Sequence, residues 1–111
     1  MPARQRGGAS LADLTDDMFQ RFKQRTIPHH AGPLREPVQL HNPARNVVPS
    51  TIVCCSCPSA VTRQMAADGN PMFAPLADLT DVSYVDLPTG HWPMWSKPEA
   101  LAKVLLEAAR A

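Results

Sequence analysis

The residues able to do chemistry fall in two places. In Leu87-Pro-Thr-Gly-His-Trp-Pro-Met-Trp-Ser-Lys-Pro-Glu99, His91 follows Gly90 directly, between an alternating apolar run and the start of a helix. A histidine on such a loop suits general acid–base work, because imidazole can accept and return a proton near neutral pH. The second place is the cluster Cys54, Cys55 and Cys57. An odd number of cysteines packed this closely is not a disulfide framework. Zinc sites space their ligands a few residues apart and need a second pair; none is evident, although His29 and His30 exist, so no metal is assigned. Buried, reduced strand cysteines are the reading adopted. Cys57 as a nucleophile beside His91 finds no elbow and no charge to stabilise a thiolate. Asp68 and Asp86 are poor partners for the imidazole, the first lying in a turn and the second inside a strand. His29 and His30 read as surface residues, and His41 has no role. Trp92 and Trp95 either line a pocket or pack the last helix onto the sheet.

The elements that must position these residues follow from periodicity. Leu11, Leu14, Met18 and Phe22 recur every three or four residues and predict an N-terminal helix, capped by Ser10 or Thr15 and ended before Pro28. From Pro28 to Pro49, prolines at 28, 33, 37, 43 and 49 predict an extended connector. Thr51-Ile-Val-Cys-Cys-Ser56 is β-branched and apolar, as expected of a strand buried on both faces. Residues 59–67 predict a helix, 71–79 a further helical turn or two, and Val82–Asp86 a second strand continued by Leu87. Ser96-Lys-Pro-Glu99 has the capping-box spacing, and Leu101, Val104, Leu105 and Ala108 form the stripe of a closing helix over about 97–110.

Strand–helix–strand–helix order predicts an α/β fold with a parallel sheet. Two strands leave both outer edges unpaired, so the expectation is part of a larger doubly wound sheet. Residues 1–50 divide off as helix and Pro-rich connector, and 51–111 as the strand–helix–strand–helix unit.

Pro88-Thr-Gly-His-Trp-Pro-Met94 followed by Pro98-Glu-Ala-Leu-Ala102 resembles the C-terminal part of the α/β-hydrolase fold, most of all its esterase and hydroxynitrile-lyase-like branch. Arg45-Asn-Val-Val-Pro-Ser-Thr-Ile-Val-Cys-Cys-Ser56 is similar to that fold's penultimate strand and its lead-in. The resemblance covers roughly residues 28–110. It implies that His91 is the catalytic histidine, that the N-terminal helix belongs to a lid, and that the substrate is an ester or related small carbonyl compound. No cofactor is implied. The departures are specific. No Gly-x-Ser-x-Gly elbow is present, nor an HGGG-type oxyanion loop, and no carboxylate follows the penultimate strand at Ser56-Cys57-Pro58-Ser59. The chain alone is therefore expected to be an inactive fragment that lacks the nucleophile-bearing half. A complementary N-terminal hydrolase segment is its expected partner. Two other readings stand beside this one: a non-catalytic interaction module docking on a partner chain, and a metal-binding domain using His29, His30 and the cysteines.

Composition bounds all of these. At 111 residues the chain holds one small domain. Twelve prolines are about twice the usual ~5% share, and they concentrate in the connector and around His91. A net charge of +1, with Arg21, Lys23 and Arg25 preceded by Asp16 and Asp17, gives a mixed helix face and no nucleic-acid site. No apolar run approaches the ~20 residues of a membrane span. Met1–Gly8 has arginines with no apolar stretch behind them, so no secretory leader is read and a cytoplasmic location is expected.

Overall fold

The computed structural model describes the backbone of Gln5–Arg6 and all of residues 9–111; the rest of the Met1–Gly8 opening lies outside the described residues. Its elements are β1 (Gln5–Arg6), β2 (Ala9–Ser10), α1 (Asp16–Arg25), α2 (Gly32–Arg35), β3 (Ser50–Cys54), α3 (Ser59–Ala67), β4 (Val82–Asp86), α4 (Pro93–Ser96) and α5 (Pro98–Arg110). Short 3₁₀ turns lie at Pro43–Val47 and Ala74–Asp78. β1 and β2 pair antiparallel, while β3 and β4 form a separate two-stranded parallel sheet. The chain is thus mixed α/β. No helix among the described residues is long and apolar enough to cross a membrane.

The parallel register sets Ser50 opposite Val82, Ile52 opposite Tyr84 and Cys54 opposite Asp86. Period-two alternation therefore groups Ile52, Cys54 and Tyr84 on one face, and Thr51, Val53, Ser83 and Val85 on the other. α3 covers the first face. The Cys54 thiol meets the Thr62 hydroxyl at 3.9 Å, and the Arg63 guanidinium lies 4.1 Å from the centre of the Tyr84 ring. α5 stands over the second face, where Val104 and Ala108 border a cleft of about 190 Å³ against Thr51, Ser83 and Val85.

α3 begins without a cap of its own, since the Pro58 ring carries no hydrogen-bonding group. Asp86, at the end of β4, supplies one. Its carboxylate accepts from the Ser59 amide at 2.8 Å and from the Ser59 hydroxyl at 2.6 Å. A carboxylate at a helix start satisfies an otherwise free N–H and faces the positive end of the helix dipole. These bonds from Ser59, with the Arg63 charge nearby, hold the Asp86 carboxyl below the usual carboxylate range.

Several sequence expectations are corrected at element ends. α1 starts only at Asp16, with Thr15 accepting from the Met18 amide at 3.2 Å. Asp13 adopts φ +64°, which breaks any helix running through it, so Leu11 and Leu14 lie in a segment ahead of α1. Ser10 belongs to β2 and caps nothing in α1. β3 ends at Cys54, one residue before Cys55 and Ser56 turn away. The Ser96–Glu99 capping box does not form. The Ser96 hydroxyl instead bonds Thr89 Oγ1 at 2.7 Å and reaches the Trp92 carbonyl, and α5 starts at Pro98. The connector is not wholly extended, being interrupted by α2 and by the turn at Pro43–Val47.

Burial is sparse. Among the described residues Leu11, Cys54, Thr62, Ala66, Thr89 and Gly90 are buried, and no large side chain is fully enclosed. β3 is not covered on both faces as expected, since Thr51 is exposed while Ile52 and Val53 are half-buried. The physical reason is supply: a sheet with one strand pair and two short helices cannot surround a central strand. The radius of gyration of 16.1 Å exceeds the ~13 Å of a packed chain this long. The excess agrees with the exposed chain after α1, where Ile27 and Leu34 are each more than four-fifths open to solvent.

Candidate functional site

The loop after β4 turns back over the end of β3. The Leu87 amide donates to the Cys54 carbonyl at 2.9 Å and the Thr89 amide to the Cys55 carbonyl at 3.5 Å. Gly90 then passes beneath the segment that follows β2. A Cβ at Gly90 would stand 2.6 Å from the Ala12 carbonyl oxygen, 2.8 Å from the Ala12 nitrogen and 2.9 Å from the Ser10 carbonyl oxygen. Only a residue without a side chain fits there. The His91 amide donates to that same Ser10 carbonyl at 2.8 Å, so the N-terminal segment clamps the backbone on both sides of the Gly90–His91 peptide.

With its backbone fixed, His91 leaves its ring exposed. The imidazole packs edge-on against Trp92 with centroids 5.1 Å apart, and no hydrogen bond restrains it among the described residues. Trp92 and Trp95 in turn hold Phe22 of α1, at 4.9 and 5.9 Å between ring centroids. Neither tryptophan lines the cleft beside His91; they dock α1 onto α4.

That cleft, of about 530 Å³, runs along β3 to the cysteine cluster. Its floor is the end of β3 from Ile52 to Cys54 and the bend that follows to Cys57. Met72, Phe73 and Leu76 form one wall, and His91, Pro93 and Met94 the other. Among the described residues no carboxylate, lysine or arginine lines it. The three cysteines are free, with Cys54 buried and Cys55 and Cys57 half-buried in the bend. The expectation of buried strand thiols therefore holds for Cys54 alone. The Thr62 hydroxyl joins the outer two of the cluster: Cys54 Sγ donates to it at 3.9 Å, and it donates to Cys57 Sγ at 3.4 Å. Burial, with Cys54 adjacent, pushes the Cys55 thiol up, away from thiolate chemistry.

The two carboxylates considered as partners for His91 are both engaged elsewhere. Asp86 caps α3, and Asp68 accepts from Gln64 Nε2 at 2.8 Å. His29 Nδ1 bonds the His30 carbonyl at 2.9 Å in the exposed connector. Among the described residues no group of three or more His, Cys, Asp or Glu converges as a metal site would require. Three features of the site were not found by sequence reasoning. Thr62 as the link between cysteines leaves no sequence signal. The wall from Met72 to Leu76 was signalled by its apolar spacing, and the clamp on Gly90 only by the glycine. No protein-family model matches the chain, and no curated protein or solved structure matches it either.

Proposed function

We propose that this chain carries the histidine-bearing part of an α/β-hydrolase-type site, which hydrolyses an ester or related small carbonyl substrate once another segment supplies the nucleophile. One observation carries the reading. His91 stands on the loop after a parallel strand, at the C-terminal edge of the sheet, where open α/β folds bind ligands, and it borders an uncharged cleft. In the completed site the imidazole takes the nucleophile's proton as the carbonyl is attacked. It then returns that proton to the leaving alcohol. In this reading the orienting acid comes with the added segment, since no carboxylate is among the described residues lining the cleft and Asp86 and Asp68 are already bonded. α1, docked on Trp92 and Trp95, is the lid element of this reading, and the chain by itself does not turn over.

Complementation tests the proposal. The chain is combined with a hydrolase segment that carries a Gly-x-Ser-x-Gly elbow and stops before its penultimate strand. p-Nitrophenyl butyrate hydrolysis that appears in the pair and is lost in His91→Ala supports the reading. Hydrolysis indifferent to His91 contradicts it.

A second reading, a non-catalytic docking module, is favoured by a different observation. Among the described residues the parallel sheet has two strands, and each has an edge with no strand beside it. Here His91 has no chemical task, and the partner chain binds both the parent and His91→Ala without any ester hydrolysis in either pair.

A further inference from the structure

We infer that the outer edge of β3 is a strand-addition site, taking one extended, uncharged, apolar strand from another polypeptide segment. This rests on the docking reading and needs no chemistry from His91.

The ladder geometry carries the argument. In a parallel pair, alternate residues of a strand turn both N–H and C=O toward the same neighbour. The Ser50 amide donates to Asp81 and the Cys54 carbonyl accepts from Leu87, so Ser50, Ile52 and Cys54 are the residues facing β4. Thr51 and Val53 therefore direct their backbone N–H and C=O away from β4. Among the described residues no turn, loop or side-chain hydrogen bond uses them. A row of such groups is satisfied by the backbone of an extended chain, the recognition mode of strand addition.

The cleft lies on this edge. Side chains on one face of a strand alternate, yet the consecutive strand residues Ile52, Val53 and Cys54 all line the cleft, as an edge seen side-on would, and the cleft continues along the bend at Cys55–Cys57. Apart from His91 its two walls are apolar, and among the described residues no carboxylate, lysine or arginine lines it. Apolar side chains on the incoming strand would be covered, and a buried lysine or arginine there would find no carboxylate among the described lining residues.

The test uses the full chain and a synthetic Thr/Val/Ile peptide matching the five residues of β3, with a lysine tail outside the pairing segment for solubility. Titration calorimetry should give saturable binding, with amide shifts in the chain centred on Thr51 and Val53. The same peptide N-methylated at alternate residues, to block its ladder, should bind at least ~10-fold more weakly. Val53→Pro should weaken binding similarly, because it removes an N–H that β4 does not use. If that variant fails to fold, the N-methylated peptide still decides. Equal affinity for both peptides, or no saturable binding, overturns strand addition. Shifts centred on α5 or the 27–48 connector refute this edge while leaving the docking reading intact. Concentration-dependent dimerisation that protects Thr51 and Val53 overturns the proposal in favour of self-pairing.

Discussion

Gly90→Ala is the substitution that most sharply tests how His91 is held. Gly90 does not have positive φ, so the constraint is space rather than backbone conformation. The new Cβ would lie within 2.6–2.9 Å of three backbone atoms of Ser10 and Ala12. Backbone cannot rotate aside as a side-chain tip can, so the segment from Ala9 to Leu14 must lift. Lifting breaks the bond from the His91 amide to the Ser10 carbonyl, about 1 kcal/mol. It also returns Leu11, only 7% exposed, toward water, about 2 kcal/mol. The released residues regain backbone freedom, which offsets part of this loss. The expected destabilisation is therefore bounded at about 3 kcal/mol. Urea denaturation measures the global cost, and amide hydrogen exchange locates it. The His91 amide should exchange at least ~10-fold faster, while Ile52 and Cys54 keep their protection because the β3–β4 ladder is untouched. Unchanged stability together with unchanged His91 exchange would refute the clamp.

Three further outcomes follow from specific contacts. Phe22→Ala removes the ring that touches both tryptophans of the chain, at a cost of about 2 kcal/mol for a half-buried phenylalanine, and should shift tryptophan emission to longer wavelength. The Asp86 carboxyl titrates below its unfolded value, so its stabilisation is complete above the unfolded pKa and is lost as pH falls through the folded one. Asp86→Asn should thus be less stable than the parent at neutral pH, and the two denaturation curves should converge in acid below the Asp86 titration. Thiol labelling should modify Cys54, which is 5% exposed, last of the three cysteines, with its full reactivity released only by denaturant.

Where the sequence carried a strong period or a turn residue, it was readable. β4, α3 and α5 lie close to where alternation and apolar stripes put them, and Gly90–His91 falls on the loop between β4 and the last helices. Local signals misled where a distant partner took over the capping. Ser96 had the right spacing to Glu99, but its hydroxyl is held by Thr89, and α5 starts without it. Asp86 looked like an ordinary strand residue, yet it caps α3 across 27 positions of sequence. The apolar spacing of Leu11 and Leu14 matched a helix, but the left-handed turn at Asp13 leaves them in the segment ahead of α1, whose Ser10 and Ala12 backbone closes over Gly90. Such contacts depend on which elements meet, and a periodicity reading does not contain that.

The unfinished edge of β3 underlies both the docking of a partner and the completion of the His91 site, and amide hydrogen exchange on the free, monomeric chain tests it directly. Slow exchange at Ile52 and Cys54, alternating with fast exchange at Thr51 and Val53, is the predicted pattern. Thr51 and Val53 protected as strongly as their neighbours would mean that the edge is already paired, and would contradict the account.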